Sequence, residues 1–242
     1  MLKGDFFFRF LGGALWLLAF AASVRAAEPP PVNAPVDSLT QEEIKKALQA
    51  ALTSGCKAAV ATLGKEDGFY RDPAVKITVP GDVETRKPGR GLGKSLDGDR
   101  FVQLMNRAAE MAVPGAKEIL AAAIAGLTLE NAREILKGPA DAATDHFKRT
   151  CSDKLEEQIL PLVRVAALDV GTAAAYRPMI KRADPDAKPL FGRFDLNAHI
   201  TRKAMAALFL KIADEEKRIR ADPAAQGSEV LKKVFGAAAK RD

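Results

Sequence analysis

Apolar residues recur every three or four positions along most of the chain, and this spacing predicts α-helices rather than strands. The first predicted helix begins at Thr40 with a capping box that includes Glu43, and it ends at Gly64. The longest begins after the capping residue Asp195 and runs from about Leu196 to Ala221. Further helices are predicted over Asp99 to Ala112, Ala116 to Ala125, Thr128 to Leu136, Ala140 to Thr150, Ser152 to Val170, Thr172 to Lys181 and Ser228 to Phe235.

The same spacing predicts which helix faces are buried. The helix that starts near Asp99 is expected to bury Phe101, Leu104, Met105, Ala108 and Met111. The longest helix is expected to bury a stripe of Leu196, Ile200, Ala204, Leu208, Ile212 and Ile219. Its acidic run of Asp214, Glu215 and Glu216 is assigned to the solvated face.

Two stretches depart from the helical spacing. Val75, Ile77 and Val79 alternate with polar residues, which predicts a short extended arm packed on the helices, since no second strand follows. Residues 81–98 are rich in glycine and charge and are predicted to be mostly loop. The whole pattern predicts an all-α fold: a single helical domain of about eight helices with one short extended arm.

The first 26 residues have the pattern of an export signal. Lys3 and Arg9 precede an uncharged apolar run from Phe10 to Ala22, and cleavage is expected near Ala26. The run is short for a membrane-spanning helix, although an uncleaved N-terminal anchor is the alternative. The pattern predicts a periplasmic protein with no transmembrane segment after cleavage.

A proline-rich segment follows the export signal. Residues 27–37 contain four prolines and are predicted to form an extended linker. The helical domain then occupies 38–236, and 237–242 form a short tail. This length suits one hydrophobic core.

The charge of the chain limits the kinds of molecule it can bind, and its cysteine content limits the disulfides it can form. The net charge of +6 is a mild excess, and the two signs are interspersed, so nucleic acid is excluded as a partner. Cys56 and Cys151 are the only cysteines. In an oxidising compartment they either form a disulfide or remain separate buried thiols, and the sequence leaves both alternatives open.

A glycine-rich segment over 89–95 looks like a phosphate-binding loop but has the wrong spacing. Pro88 stands where that loop needs its first glycine, and no apolar strand precedes it. Near this segment four cations meet no carboxylate: Arg86, Lys87, Arg90 and Lys94. They are either an anion-contact loop for lipid head groups or envelope glycans, or a solvated basic loop.

No constellation in the sequence predicts catalysis. His146 and His199 lack the paired spacing of a helical zinc site, and each is expected to be a packed or half-exposed ring. No Gly-x-Ser-x-Gly elbow is present, and the cysteines lack a thiol-protease signature. No metal, other cofactor or catalytic residue is therefore predicted.

Four blocks, in this order, carry a family resemblance: Leu63 to Phe69, Asn106 to Glu110, Gly138 to Thr144 and Leu231 to Gly236. Together they resemble an uncharacterised bacterial family known as domain of unknown function 4197, over nearly all of the chain after the linker. The resemblance implies an exported helical protein and brings no established activity or ligand. It also implies aromatic rings at positions 146 and 199, so both histidines are interpreted as packing residues.

Polar residues within these blocks are the candidate ligand-binding residues: Asn106, Arg107, Glu110, Asp141, Thr144, Lys65 and Glu66. Structural roles are the alternative, with Arg107 and Glu110 as an ion pair and Asp141 and Thr144 as helix caps. The favoured interpretation is an envelope interaction or ligand-binding module whose partner is an envelope protein or an anionic envelope component. A periplasmic hydrolase-type enzyme with carboxylate and arginine chemistry in an interhelical cleft is the other interpretation.

Overall fold

The computed structural model describes residues 36–79, 96–182 and 194–239 of the chain. The predicted export signal, most of the linker and the basic loop with Arg86, Lys87, Arg90 and Lys94 lie outside the described residues. Within the described residues the fold is all-helical and contains no strand, as the sequence predicts.

Helices account for most of the described chain. In chain order the α-helices are α1 (Gln41–Leu63), α2 (Leu96–Ala112), α3 (Ala116–Ala125), α4 (Ala132–Lys137), α5 (Ala142–Asp169), α6 (Thr172–Arg182), α7 (Leu196–Ala221) and α8 (Glu229–Ala239). Short 3₁₀ helices occupy Val36–Ser38 and Val113–Gly115.

The predicted N-terminal caps of α1 and α7 are confirmed. The Thr40 hydroxyl accepts a hydrogen bond from the Glu43 N–H at 3.2 Å, and the Glu43 carboxylate accepts from the Thr40 N–H at 2.9 Å. On α7, the Asp195 carboxylate accepts from the Ala198 N–H at 2.9 Å. Both ends are thus specified by local sequence.

α5 is one continuous helix, so the predicted break between Thr150 and Ser152 is wrong. The Thr150 hydroxyl donates to the carbonyl of His146 at 2.9 Å, and the Ser152 hydroxyl donates to the carbonyl of Lys148 at 2.6 Å. Hydroxyl groups that bond one turn back are satisfied within the helix. They therefore do not start a new helix here.

Three other predicted boundaries are also corrected. α2 begins at Leu96, inside the predicted loop. α4 begins at Ala132 rather than near Thr128, whose carbonyl contacts the His146 ring instead of a helical N–H. α8 runs beyond Gly236 because Ala237 is buried and continues the packed face.

α1 and α7 form the central pair of the core, with α5 packed on α7 and α2 packed on α5. The two central helices come very close at Gly55, where a Cβ atom would lie 2.9 Å from Cγ2 of Ile212. The predicted stripe on α7 is buried except at Leu196, which is half-buried. Four phenyl rings, of Phe69, Phe101, Phe147 and Phe235, are fully buried in this core.

The extended arm is confirmed. Val75, Ile77 and Val79 are buried, whereas Lys76 is half-buried and Thr78 is exposed. The alternation therefore packs one side of an extended segment against the helices.

The predicted burial is wrong on α2 and at the end of the linker. Leu104 is only half-buried. Met111 is 48% exposed, because Met105, Ala108 and Ala112 set the buried line of α2 and Met111 falls beside it. At the end of the predicted linker, Val36 is buried, and Arg133 donates to its carbonyl at 2.7 Å. The end of the predicted linker is thus part of the packed structure.

α5 and α6 meet at a sharp bend. Gly171 lies there with φ of +74°, a backbone conformation that favours glycine. Among the described residues no single helix is long and apolar enough to cross a membrane. α5 and α6 up to Pro178 reach that length and apolarity only together, across a bend of 66°.

Candidate functional site

The structure divides the candidate ligand-binding residues between two places. Glu66, Arg107 and Glu110 meet where the turn after α1 packs on α2. Asp141 and Thr144 lie at the start of α5, on a different part of the fold. The candidates therefore do not converge on one pocket.

Glu110 is the buried carboxylate of the first place. Its side chain is only 4% exposed. Oε1 accepts hydrogen bonds from the backbone N–H groups of Phe69 at 3.1 Å and Tyr70 at 3.3 Å. Oε2 accepts from Nη1 of Arg107 at 3.2 Å. The carboxylate thus ties the turn to α2 and holds the guanidinium.

Arg107 connects this buried carboxylate to the surface. Its Nη2 lies 3.2 Å from Oε1 of Glu66, whose side chain is 77% exposed. The hydrogen bond to Glu110, together with attraction to Glu66, raises the pKa of Arg107, so the group stays cationic. The neighbouring Lys65 is exposed and has no part in this group of contacts.

The turn that carries Glu66 has an unusual backbone. Asp67 has φ of 61°, in the left-handed region that Asp occupies more readily than most residues. The next residue must be glycine, because a Cβ on Gly68 would lie 2.5 Å from the carbonyl oxygen of Thr62. This local sequence sets the direction of the N–H groups that Glu110 binds.

These side chains border a cavity of about 300 Å³, hereafter the Arg107 cavity. It is lined by Glu66, Asp67, Tyr70, Arg100, Gln103, Leu104, Arg107 and Glu110. Its volume is at the lower end of the range for small-molecule sites. Two guanidinium groups, a phenol, an amide and three carboxylates make it suitable for a small polar ligand.

Asn106 has a structural role and is not among the lining residues. Its buried Oδ1 accepts from the Ile77 N–H at 2.8 Å, and its Nδ2 donates to the Ile77 carbonyl at 2.8 Å. Nδ2 also donates to the Val102 carbonyl at 2.7 Å. The side chain therefore pairs with the extended arm much as a neighbouring strand would.

The second place is built around Glu216, which was wrongly assigned to a solvated face. Its side chain is fully buried. It accepts from the N–H groups of Ala143 at 3.1 Å and Thr144 at 2.8 Å, and from the Thr144 hydroxyl at 2.7 Å. Glu216 therefore caps the N-terminus of α5 from α7. The signal was in the sequence, since Glu216 falls one turn after Ile212 on the predicted buried stripe.

Arg220 completes this cluster. It donates to Glu216 at 2.8 Å and to the carbonyl of Leu136 at 2.8 Å, and so it closes the end of α4. Its guanidinium carbon lies 5.1 Å from the centre of the Phe235 ring on α8. The cluster thus joins α4, α5, α7 and α8.

Asp141 occupies the capping position of α5, but its side chain makes no capping hydrogen bond. Its carboxylate instead lies 2.8 Å from Nζ of Lys217. The hydrogen bond from Lys217 lowers the pKa of Asp141. The helix-cap alternative for Asp141 is therefore wrong, and the side chain forms an ion pair between α5 and α7 instead.

Two other cavities are present among the described residues, and neither contains a candidate residue. The larger, of about 540 Å³, lies between α4 and α5 beside His146, and none of its lining residues is buried. The other, of about 370 Å³, lies where α2 meets the α5–α6 bend. The Arg107 cavity differs from the larger one because a buried carboxylate orients its central cation.

Both histidines bond to backbone carbonyls. The Nε2 atom of His146 lies 2.9 Å from the Thr128 oxygen, and that of His199 lies 2.9 Å from the Thr78 oxygen. Burial lowers the pKa of His199. In the part of the chain that the structure describes, no three side chains of His, Cys, Asp or Glu are grouped to hold a metal ion.

Cys56 and Cys151 are free thiols, so the disulfide that the sequence left open is not formed in this structure. Cys56 is buried on α1, whereas Cys151 is half-buried on α5, and these two helices make few direct contacts. Burial raises the pKa of Cys56 to about 12 and also raises that of Cys151.

The sequence of the chain matches the family model DUF4197, a protein family of unknown function, over residues 38–236. The chain therefore belongs to this family. No curated protein and no solved structure matches the chain.

Proposed function

We propose that this member of the DUF4197 family is an exported, non-catalytic binding module of the cell envelope that takes a small polar ligand in the Arg107 cavity. The observation that carries the proposal is the position of Arg107. One end of its guanidinium is held by the buried Glu110 carboxylate, and the other end reaches the surface. A cation that is already oriented loses little freedom when a ligand binds.

The composition of the cavity supports an anionic or mixed-charge ligand. Arg100 lies two helical turns before Arg107 on α2, so the two cations share one face of the helix. Tyr70 adds an aromatic wall, and Gln103 adds a neutral group that donates and accepts hydrogen bonds. Asp67 is paired with Arg71 and Glu110 with Arg107, so Arg100 is the lining cation that an anionic envelope component would contact.

The buried carboxylates support binding over hydrolysis. A glycan hydrolase needs two carboxyl groups that converge on one cleft, and one of them must donate a proton. Glu110 is engaged by two backbone N–H groups and Arg107, and Glu216 by the start of α5 and Arg220. In the described residues every buried polar side-chain atom has a hydrogen-bond partner. These two carboxylates thus serve the fold. The other two carboxylates that line the Arg107 cavity, Glu66 and Asp67, are ion-paired with Arg107 and Arg71, which keeps them ionised rather than ready to donate a proton.

The binding proposal is tested with amide NMR spectra of the chain that starts at Ala27. Separate samples receive small carboxylates, phosphates, amines and neutral sugars. We expect one class to shift the amide signals of Phe69, Tyr70, Gln103 and Arg107, and we expect Arg100→Gln to weaken the effect. Lys117→Gln, which removes an exposed cation on α3, is the control and should leave it unchanged. If no class shifts these signals, the proposal is wrong.

Export is tested separately, by the mass of the protein recovered from cell fractions. The apolar run that ends near Ala22 supports removal of the first 26 residues. We expect the periplasmic or envelope fraction to contain a chain that begins at Ala27. Full-length protein in the cytoplasmic fraction would contradict export.

A further inference from the structure

We infer that the ligand of the Arg107 cavity carries a carboxylate that replaces Glu66 on Arg107. Glu66 then acts as an internal competitor, which occupies the binding position until the ligand arrives. The inference rests on the proposed function and adds the chemical class of the ligand and a residue that tunes its affinity.

The two carboxylates on Arg107 are unequal. Both lie 3.2 Å from a guanidinium nitrogen. The side chain of Glu110 is 4% exposed and is also held by backbone N–H groups, whereas that of Glu66 is 77% exposed. Glu110 is therefore a fixed part of the site, and Glu66 is the partner that a ligand can displace.

The two ion pairs of Arg107 also differ in how much free energy it costs to break them. An ion pair in solvent contributes little, because water screens the charges and both side chains lose freedom. Breaking the pair of Arg107 with Glu66 therefore costs little, whereas removing Glu110 would leave N–H groups without an acceptor. A ligand carboxylate restores the bond that Glu66 gives up, and it can bind the guanidinium through two oxygens.

The position of Arg100 indicates that the ligand carries a second acidic group. This arginine lines the cavity and makes no ion pair with any residue that the structure describes. Arg100 lies seven positions before Arg107, which is about 10 Å along the axis of α2. Long, flexible arginine side chains can close part of this separation around a short dicarboxylate. We therefore expect glutarate to bind more tightly than acetate.

Calorimetric titration of glutarate into the chain that starts at Ala27 tests the inference. Glu66→Gln is expected to tighten binding about two- to fivefold, the range that an exposed ion pair supplies. Asp67→Asn is the matched control, because Asp67 also lines the cavity but pairs with Arg71 at 2.7 Å. Asp67→Asn removes one negative charge, as Glu66→Gln does, but it leaves the ion pair of Arg107 with Glu66 in place. Arg100→Gln should reduce the affinity for glutarate to about that for acetate.

The outcomes separate the inference from the proposed function. If Asp67→Asn tightens binding as much as Glu66→Gln, general charge repulsion explains the effect and displacement of Glu66 is wrong. If inorganic phosphate binds in the cavity and glutarate does not, the carboxylate class is wrong and the proposed function stands. If the wild-type protein and the Glu66→Gln and Asp67→Asn variants bind neither glutarate, acetate nor phosphate, the inference is wrong. The proposed function then depends on the other compound classes.

Discussion

At the residue scale, three buried polar side chains organise the molecule, and each of them binds backbone groups of another part of the chain. Asn106 holds the extended arm, Glu110 holds the turn after α1, and Glu216 holds the start of α5. Asn106 and Glu110 lie in a block that resembles the family, and so they were selected from sequence. Glu216 was missed because two adjacent acidic residues made the run look solvated, although its spacing from Ile212 placed it in the core.

Asn106→Ala is expected to destabilise the fold by about 3 kcal/mol, because the buried N–H and carbonyl of Ile77 would both lose their partner. Urea unfolding followed by circular dichroism measures the loss. Gln103→Ala, an exposed change on the same helix, should alter the free energy of unfolding by less than about 0.5 kcal/mol. Equal losses for the two variants would contradict the role assigned to Asn106.

The contribution of Glu43 to the stability of the fold is expected to depend on pH. Its hydrogen bond from Lys233, followed by those from Thr40, lowers its pKa from 4.5 to about 2. The folded pKa is thus below the unfolded one, so the stabilisation is present above pH 4.5 and is lost as the pH falls toward 2. Carbon NMR of the carboxyl group follows this titration. Lys233→Ala should return the pKa of Glu43 toward 4.5, whereas Lys232→Ala, which removes a partner of Glu229, should not.

At the scale of elements, caps supplied by neighbouring residues were predictable and caps supplied by distant residues were not. The starts of α1 and α7 depend on Thr40 and Asp195, which lie next to the helices they cap. The start of α5 depends on Glu216, far along the chain. The break predicted near Ser152 failed because a hydroxyl can cap a new helix or bond one turn back, and sequence does not choose between them.

Glu216→Ala is expected to cost about 3–5 kcal/mol, because Arg220 would lose its buried partner and α5 would lose its cap. Asp214→Ala, an exposed change two residues away, should cost less than about 0.5 kcal/mol. Chemical unfolding of both variants gives the comparison. A loss for Glu216→Ala no larger than that for Asp214→Ala would show that the cluster does not join the helices.

The two thiols, on α1 and α5, are expected to differ in reactivity. A thiol-specific reagent should modify Cys151 in the folded protein and leave Cys56 unmodified, because Cys56 is buried with a pKa of about 12 and the thiolate is the reactive form. After unfolding without reductant, both should react. A single reactive thiol, or none, in the unfolded protein would indicate that a cysteine is oxidised.

At the scale of the whole molecule, the all-helical fold followed from hydrophobic spacing alone, together with the extended arm and most of the core. The Arg107 cavity did not. Its lining combines the turn after α1 with one face of α2, and only the folded chain brings Tyr70, Arg100 and Gln103 beside the predicted Glu66, Arg107 and Glu110. The family-resemblance blocks identified Glu66, Arg107 and Glu110 as candidates. Tyr70, Arg100 and Gln103 lie outside these blocks, so only the folded structure shows that they line the same cavity.

The side-chain Nε–H signal of Arg107 provides the most direct test of the binding site. We expect the compounds that bind to move the signals of Arg107 and Arg100. Those of Arg133 and Arg220, which hold backbone carbonyls elsewhere, should stay in place. If every compound class leaves the Arg107 signal unchanged, or binds while moving only signals outside the Arg107 cavity, the proposed binding site is wrong.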